Sequence, residues 1–208
     1  MKPRWFIFDL GNVLLRLAYS RVLDVISSSS STGGQQLHQL MDGPGGYRDL
    51  ERGLSSFSSF HQLLQRRAGY GGSLEDFRAV WSDFFEGPVD RIEEVLDRVR
   101  REYRVAFLSN SNEVHAEAIP RAFPQLFRQG EPFIFSHVEG CSKPERRIYE
   151  RAMELLGSRP DETIFVDDLR ENVQAAIDFG IRAYQFTTAA ALLEALEEDG
   201  LLVRITPA

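Results

Sequence analysis

With 208 residues, 43% of them hydrophobic and 11% aromatic, the chain has material for a sizeable core, as one large domain or as a core domain with an inserted subdomain. A net charge of -7 argues against a nucleic-acid partner, which calls for a basic patch, but it leaves room for a local basic pocket and a phosphorylated substrate. A single cysteine rules out an intrachain disulfide, and the apolar run at the N-terminus is too short for a signal peptide; with no stretch of membrane-spanning length, a cytoplasmic protein without a membrane partner is expected.

The first element is "RWFIFDL", an apolar run that reads as a buried strand with Asp9 at its carboxyl end. From Tyr19 to Phe85 the texture changes. Helical patches "SRVLDVI", "FSSFHQLLQRRAG" and "LEDFRAVWSDFF" alternate with the polar breakers Ser27 to Gly34 and Asp42 to Tyr47. The aromatic residues of "FRAVWSDFF" are expected to form a packed helix face. After Pro88, helices and strands alternate. "DRIEEVLDRVRREY" is a predicted helix and "RVAFLSN" a buried strand ending at Ser109 and Asn110. "NEVHAEAIPRAF" is expected to be helical until Pro120, "FIFSHV" to be a strand, and "KPERRIYERAMELLG" to be a helix closed by Gly157. "TIFVDD" is a strand ending in acids, "RENVQAAIDFG" a helix stopped by Gly180, "IRAYQF" a strand, and "TAAALLEALEED" the final helix.

Such alternation implies parallel strands joined by right-handed crossovers, with the ligand at the carboxyl ends of the strands. Three strands would bring polar groups to that edge: Asp9, then Ser109 with Asn110, then Asp167 with Asp168. Singly, each has a plain structural reading. Asp9 can form a turn, "LSN" can cap a helix, and Lys143 can be a solvated surface lysine. The adjacent acids 167 and 168 repel one another unless something positive lies nearby, which points to a cation.

Together, "FDLGNVL", "AFLSNSN", "SKPERRIY" and "IFVDDLRENVQAAIDFGI" resemble the ordered motifs of the haloacid dehalogenase-like hydrolase superfamily, over Arg4 to Tyr184. The resemblance implies an α/β fold: a three-layer Rossmann-like core with a parallel sheet, built from residues 1–16 and 87–208, with a small helical cap, residues 17–86, inserted after the first strand. It implies a magnesium-dependent phosphatase acting on a small phosphorylated metabolite, a sugar phosphate being the expectation. Asp9 matches the nucleophile, which would form an aspartyl-phosphate. Asp9, the carbonyl of Gly11 and Asp168 match the Mg2+ ligands, with Asp167 close by or acting through water. Ser109 and the Asn110 N–H match the phosphate site, which Leu10 and Gly11 also line, and Lys143 matches the cation that neutralises charge there. Glu171 and Asn172 fall beside the acidic motif, where they would orient it.

One position departs from most phosphatases of the superfamily. The residue two after the nucleophile, commonly an Asp that acts as general acid and base, is Gly11. "FDLGNVL", "ERGLSS", "LSNSNEVH" and "KPERRIY" resemble a Gly-Asn-Val branch that includes bacterial alpha-glucose-1-phosphate phosphatases. A sugar 1-phosphate leaves as a less basic alkoxide, so a chain lacking the acid is expected to favour good leaving groups. The alternatives are a haloacid dehalogenase, which needs neither metal nor doubled acid, and a binding or regulatory module without turnover. Arg16 reads either as facing an anionic substrate or as solvated, and His115 either as a proton relay or as a packing residue.

Overall fold

A computed structural model describes residues 3–31, 39–41 and 43–204. The predicted breakers at Ser27 to Gly34 and Asp42 to Tyr47 lie partly outside these residues. Five parallel strands form the central sheet: β1 (Trp5–Phe8), β4 (Arg104–Ser109), β5 (Phe133–Phe135), β6 (Thr163–Asp167) and β7 (Arg182–Gln185), in the order β5-β4-β1-β6-β7. The three central strands, β4, β1 and β6, are buried on both faces, which is why they read as continuous apolar runs. On β1, Phe6 and Phe8 face one side and Trp5 and Ile7 the other. The first side packs on α5 (Ile92–Val99) and α10 (Ala189–Glu198) through Ile92, Val95, Leu96, Leu192 and Leu196. The second packs on α8 (Arg146–Leu156) and α9 (Arg170–Phe179) through Ile148, Tyr149, Ala152 and Ala176. The result is the three-layer α/β arrangement that the family resemblance implies, with the parallel strands expected from the alternation. Each large apolar side chain buried this way contributes about 1.5–3 kcal/mol.

Between β1 and the rest of the sheet, the chain enters and leaves an insert through a two-stranded antiparallel ribbon. Its strands are β2 (Leu15–Leu17) and β3 (Phe85–Pro88), with Leu15 opposite Pro88 and Leu17 opposite Phe85. Helices α1 (Tyr19–Ser28), α2 (Tyr47–Glu51), α3 (Phe57–Ala68) and α4 (Leu74–Ser82) pack around their own cluster, which includes Val22, Ile26, Phe60, Leu64, Phe77 and Trp81. Local chemistry sets their ends. Ser56 caps α3 by accepting the Ser59 N–H, and Gly69 stops that helix in the left-handed region. Ser73 and Asp76 form a capping box at α4.

Two segments differ from the sequence expectation. Helix α6 (Glu113–Ala122) runs past Pro120 to Ala122. The proline removes one backbone donor, but buried Ile119 holds the last turn against the core and its carbonyl accepts the Phe123 N–H at 3.0 Å. The strand expected over "FIFSHV" stops at Phe135, which pairs with the last residue of β4, Ser109. With no ladder partner beyond it, the chain turns into the short helix α7 (Ser136–Glu139), ended by Gly140 at a φ of +67°.

Candidate active site

The order of the strands brings the polar strand ends together. Phe8 of β1 is level with Phe107 of β4 on one side and Val166 of β6 on the other. Asp9, Ser109 and Asp167 therefore emerge along one edge. The Asp9 N–H donates to the Val166 carbonyl at 2.9 Å, so the ladder runs one residue past β1 before the chain breaks away. The break is tight: Leu10 accepts from both Leu14 and Leu15, and Asn12 sits at a φ of 53°. This left-handed position suits asparagine. From it the Asn12 amide donates to Asp168 Oδ2 at 3.2 Å, tying the β1 turn to the end of β6.

Lys143 lies at the centre of the charge. Its Nζ stands 2.7 Å from Asp9 Oδ1 and 2.6 Å from Asp167 Oδ2. Burial by itself opposes the ammonium, but the two carboxylates hold its pKa above the ordinary lysine value, so the charge is kept. The loop carrying Lys143 is clamped by the Asn110 side chain. Asn110 Oδ1 accepts the Lys143 N–H at 2.8 Å, and Asn110 Nδ2 donates to the Lys143 carbonyl at 2.9 Å. Asp167 is fully buried, and its other oxygen accepts from the Leu169 N–H and the Asn172 amide, both at 2.9 Å. Asn172 thus orients an acid, whereas Glu171 is exposed and faces a neighbouring cavity beside Arg48, Arg52 and Glu145.

Asp9, Asp167 and Asp168 each offer an oxygen within 4.8 Å of the others. Burial first, then the neighbouring Asp167, push the Asp9 carboxyl above its ordinary range, and Lys143 pulls it back. Burial also raises Asp168, against the Asn12 hydrogen bond. Three carboxylates against one ammonium leave the cluster short of positive charge. A hard divalent cation with oxygen ligands fits this donor set. Above the cluster opens a cavity of about 680 Å³ lined by Asp9, Gly11, Ser109, Lys143 and Asp168 from the core, and by Tyr47 and Glu51 from the insert. Leu10, Asn110 and Asn172 also line it. That volume suits a small metabolite. Ser111 lines it as well; among the described residues its Oγ, shut off from solvent, has no hydrogen-bond partner.

His115 also lines the cavity, but both its ring nitrogens are engaged. Nε2 lies 3.1 Å from the Trp81 carbonyl and Nδ1 lies 3.2 Å from the Asn112 amide. Since a carbonyl only accepts, Nε2 carries the proton and Nδ1 accepts from the amide. The ring stacks on Trp81, and burial lowers its pKa to about 3. It is a neutral bridge between α6 and the insert. Arg16 donates to the Pro88 carbonyl and approaches Glu86 on the ribbon, away from the acid cluster. Three residues escaped the sequence reading: Asn12, Ser136 and Glu51. Ser136 accepts the Ser111 N–H at 2.9 Å and donates to the Glu51 carbonyl. Its only signal was "FSH" at a strand end; that of Glu51 was "ERG" within the insert.

The fold and the edge of converging acids define a class. The model of the haloacid dehalogenase-like hydrolases matches residues 3–180, and the chain belongs to that family. It is 25% identical over 192 residues to the D-ribitol-5-phosphate phosphatase of Bacteroides thetaiotaomicron, covering 86% of this chain and 89% of that one. A family enzyme of the same organism, solved as a magnesium complex, superposes with a TM-score of 0.79 at 26% identity, over 91% of this chain and 96% of that one. An L-2-haloacid dehalogenase shares the fold at a TM-score of 0.64 and 19% identity, over 89% and 85% of the two chains. Among the described residues, no helix is long and apolar enough to cross a membrane.

Proposed function

We propose that the protein is a magnesium-dependent phosphatase that hydrolyses a small phosphorylated metabolite, a sugar phosphate or sugar-alcohol phosphate, through an aspartyl-phosphate on Asp9. The observation that carries this reading is the buried lysine bridging Asp9 and Asp167 with Asp168 beside them. A dehalogenase needs no metal, and so does not call for Asp168 beside the Lys143–Asp167 pair. Relatives named as a phosphatase and solved with magnesium agree with the reading. Asp9, Asp168 and the Gly11 carbonyl would hold the Mg2+, which when bound supplies charge neutralisation between nucleophile and phosphoryl oxygens. The Asp9 carboxylate attacks phosphorus as the bond to the leaving oxygen breaks. The Ser109 hydroxyl and the Asn110 N–H hold phosphoryl oxygens, and Lys143 balances their charge. Asp167 and Asn172 aim the lysine. Residues 17–86 act as a cap that excludes water when docked on the core of residues 1–16 and 87–208.

A screen of phosphorylated metabolites, with magnesium and with excess chelator, tests the assignment. Magnesium-dependent phosphate release is expected from the parent protein. None is expected from Asp9→Asn, which keeps the shape but not the nucleophile and should still bind a phosphate analogue. Multiple turnover by Asp9→Asn would overturn the mechanism, and halide release from 2-haloacids without metal would replace it by the dehalogenase.

A further inference from the structure

We propose that Glu51, carried by the insert, transfers the proton that Gly11 cannot, acting as general acid to the leaving group and then as general base to water. The proposal rests on the phosphatase reading above and names a catalytic residue for it. Glu51 ends α2 and lines the same cavity as Asp9, Ser109 and Lys143, close enough to Lys143 to feel its charge. The end of α2 is fixed to the core at three consecutive residues. The Glu51 carbonyl accepts from Ser136, whose oxygen also accepts the N–H of Ser111 just beyond β4. Arg52 pairs with Glu145 at 3.1 Å, two residues after Lys143. Gly53, at a φ of +67°, packs so closely that a Cβ there would come within 2.2 Å of the His137 carbonyl. The turn is therefore built to hold Glu51 over the site, and glycine is required to let it approach.

The chemistry of the cavity leaves Glu51 as the proton carrier. Asp9 is the nucleophile and Asp168 belongs to the cation. Lys143 is kept charged between two carboxylates. His115 has both nitrogens engaged and stays neutral. Tyr19 and Tyr47 also face the cavity; burial and Glu51 raise the Tyr47 hydroxyl further, and it donates its hydrogen bond to Glu51. Burial pushes Glu51 itself from 4.5 up to about 7, against the pull of Tyr47, Lys143 and Arg48, so both of its forms are populated near neutrality. In the first step the Asp9 oxygen bonds to phosphorus, the bond from phosphorus to the leaving oxygen breaks, and the Glu51 proton passes to that oxygen to give the alcohol. In the second step the Glu51 carboxylate takes a proton from water as the water oxygen attacks phosphorus and the bond from phosphorus to the Asp9 oxygen breaks. Inorganic phosphate leaves, and Asp9 and protonated Glu51 are restored.

Glu51→Gln keeps size and hydrogen bonding but cannot transfer a proton. With magnesium present, its steady-state rate on alkyl phosphates should fall by about a hundredfold to ten-thousandfold. An aryl phosphate with a good leaving group needs no acid in the first step. It should give a rapid burst of one phenol per protein followed by slow turnover, and acid-quenched Glu51→Gln should carry one phosphoryl group by intact mass. Glu51→Asp, which keeps a shorter acid, should regain part of the alkyl phosphate rate. Equal losses on alkyl and aryl substrates with no burst and no trapped phosphoryl group, or unchanged kinetics, would overturn the role of Glu51 while leaving the phosphatase reading intact. A parent protein that releases phosphate from neither substrate would overturn that reading, and the role of Glu51 with it.

Discussion

Removing the Lys143 ammonium tests the charge arrangement at the sheet edge. The lysine side chain is 1% exposed and Asp167 0%, so neither partner can turn to water when the other is lost. Lys143→Met keeps much of the apolar stem and deletes the charge. It leaves Asp9 and Asp167 as neighbouring carboxylates, their oxygens within 4.8 Å, without a counter-ion. Breaking a buried pair by removing one partner costs about 3–5 kcal/mol. In a chain of this size each kcal/mol moves Tm by about 2–4 °C, so a fall of about 6–20 °C is expected in scanning calorimetry of metal-free protein. Adding Asp167→Asn should recover much of it. An asparagine in the same rotamer still accepts from the Leu169 N–H and the Asn172 amide but carries no charge. The two substitutions should therefore be coupled by about 0.5–3 kcal/mol in a double-mutant cycle. A loss below about 1 kcal/mol, or a double variant less stable than Lys143→Met alone, would refute the idea that the ammonium compensates these buried charges.

Two further outcomes are expected. Excess chelator should abolish phosphate release, and Asp168→Ala should do the same at magnesium concentrations that saturate the parent, while the metal-free Tm stays near that of the parent; activity surviving in chelator would remove the metal from the mechanism. The raised pKa of Glu51 should also appear in stability. Because burial lifts its pKa from 4.5 to about 7, the folded state binds the proton more tightly than the unfolded chain, so its contribution is full below about pH 4.5 and is lost as pH rises to about 7. The loss is at most about 3–4 kcal/mol. Urea midpoints of the parent minus those of Glu51→Gln should decline across that window, and a flat difference would show that Glu51 is not shifted by folding.

Much of the site could be read from the sequence because its signals are local. An apolar run that stops at a carboxylate or a serine marks a strand end, and alternation with amphipathic helices marks a parallel sheet, so Asp9, Ser109, Asp167 and Asp168 could be placed on one edge without coordinates. Helix ends at Gly157 and Gly180 were legible for the same reason. Pairings between distant segments were not. The ribbon joining β2 to β3 brings together residues some seventy positions apart, and three-residue runs such as "LRL" carry no periodicity. The bond from Asn12 to Asp168 and the clamp of Asn110 on Lys143 depend on how separate turns meet. The sequence left His115 open as a relay or a packing residue; in the structure, Trp81 and Asn112 occupy both its nitrogens. Glu51 opens "ERGLSS", which resembles a branch of the family but does not by itself place the acid at the cavity. What brings this carboxylate to the cavity is docking, through Ser136, Glu145 and the space left by Gly53. The burial that shifts its protonation exists only once those surfaces have met.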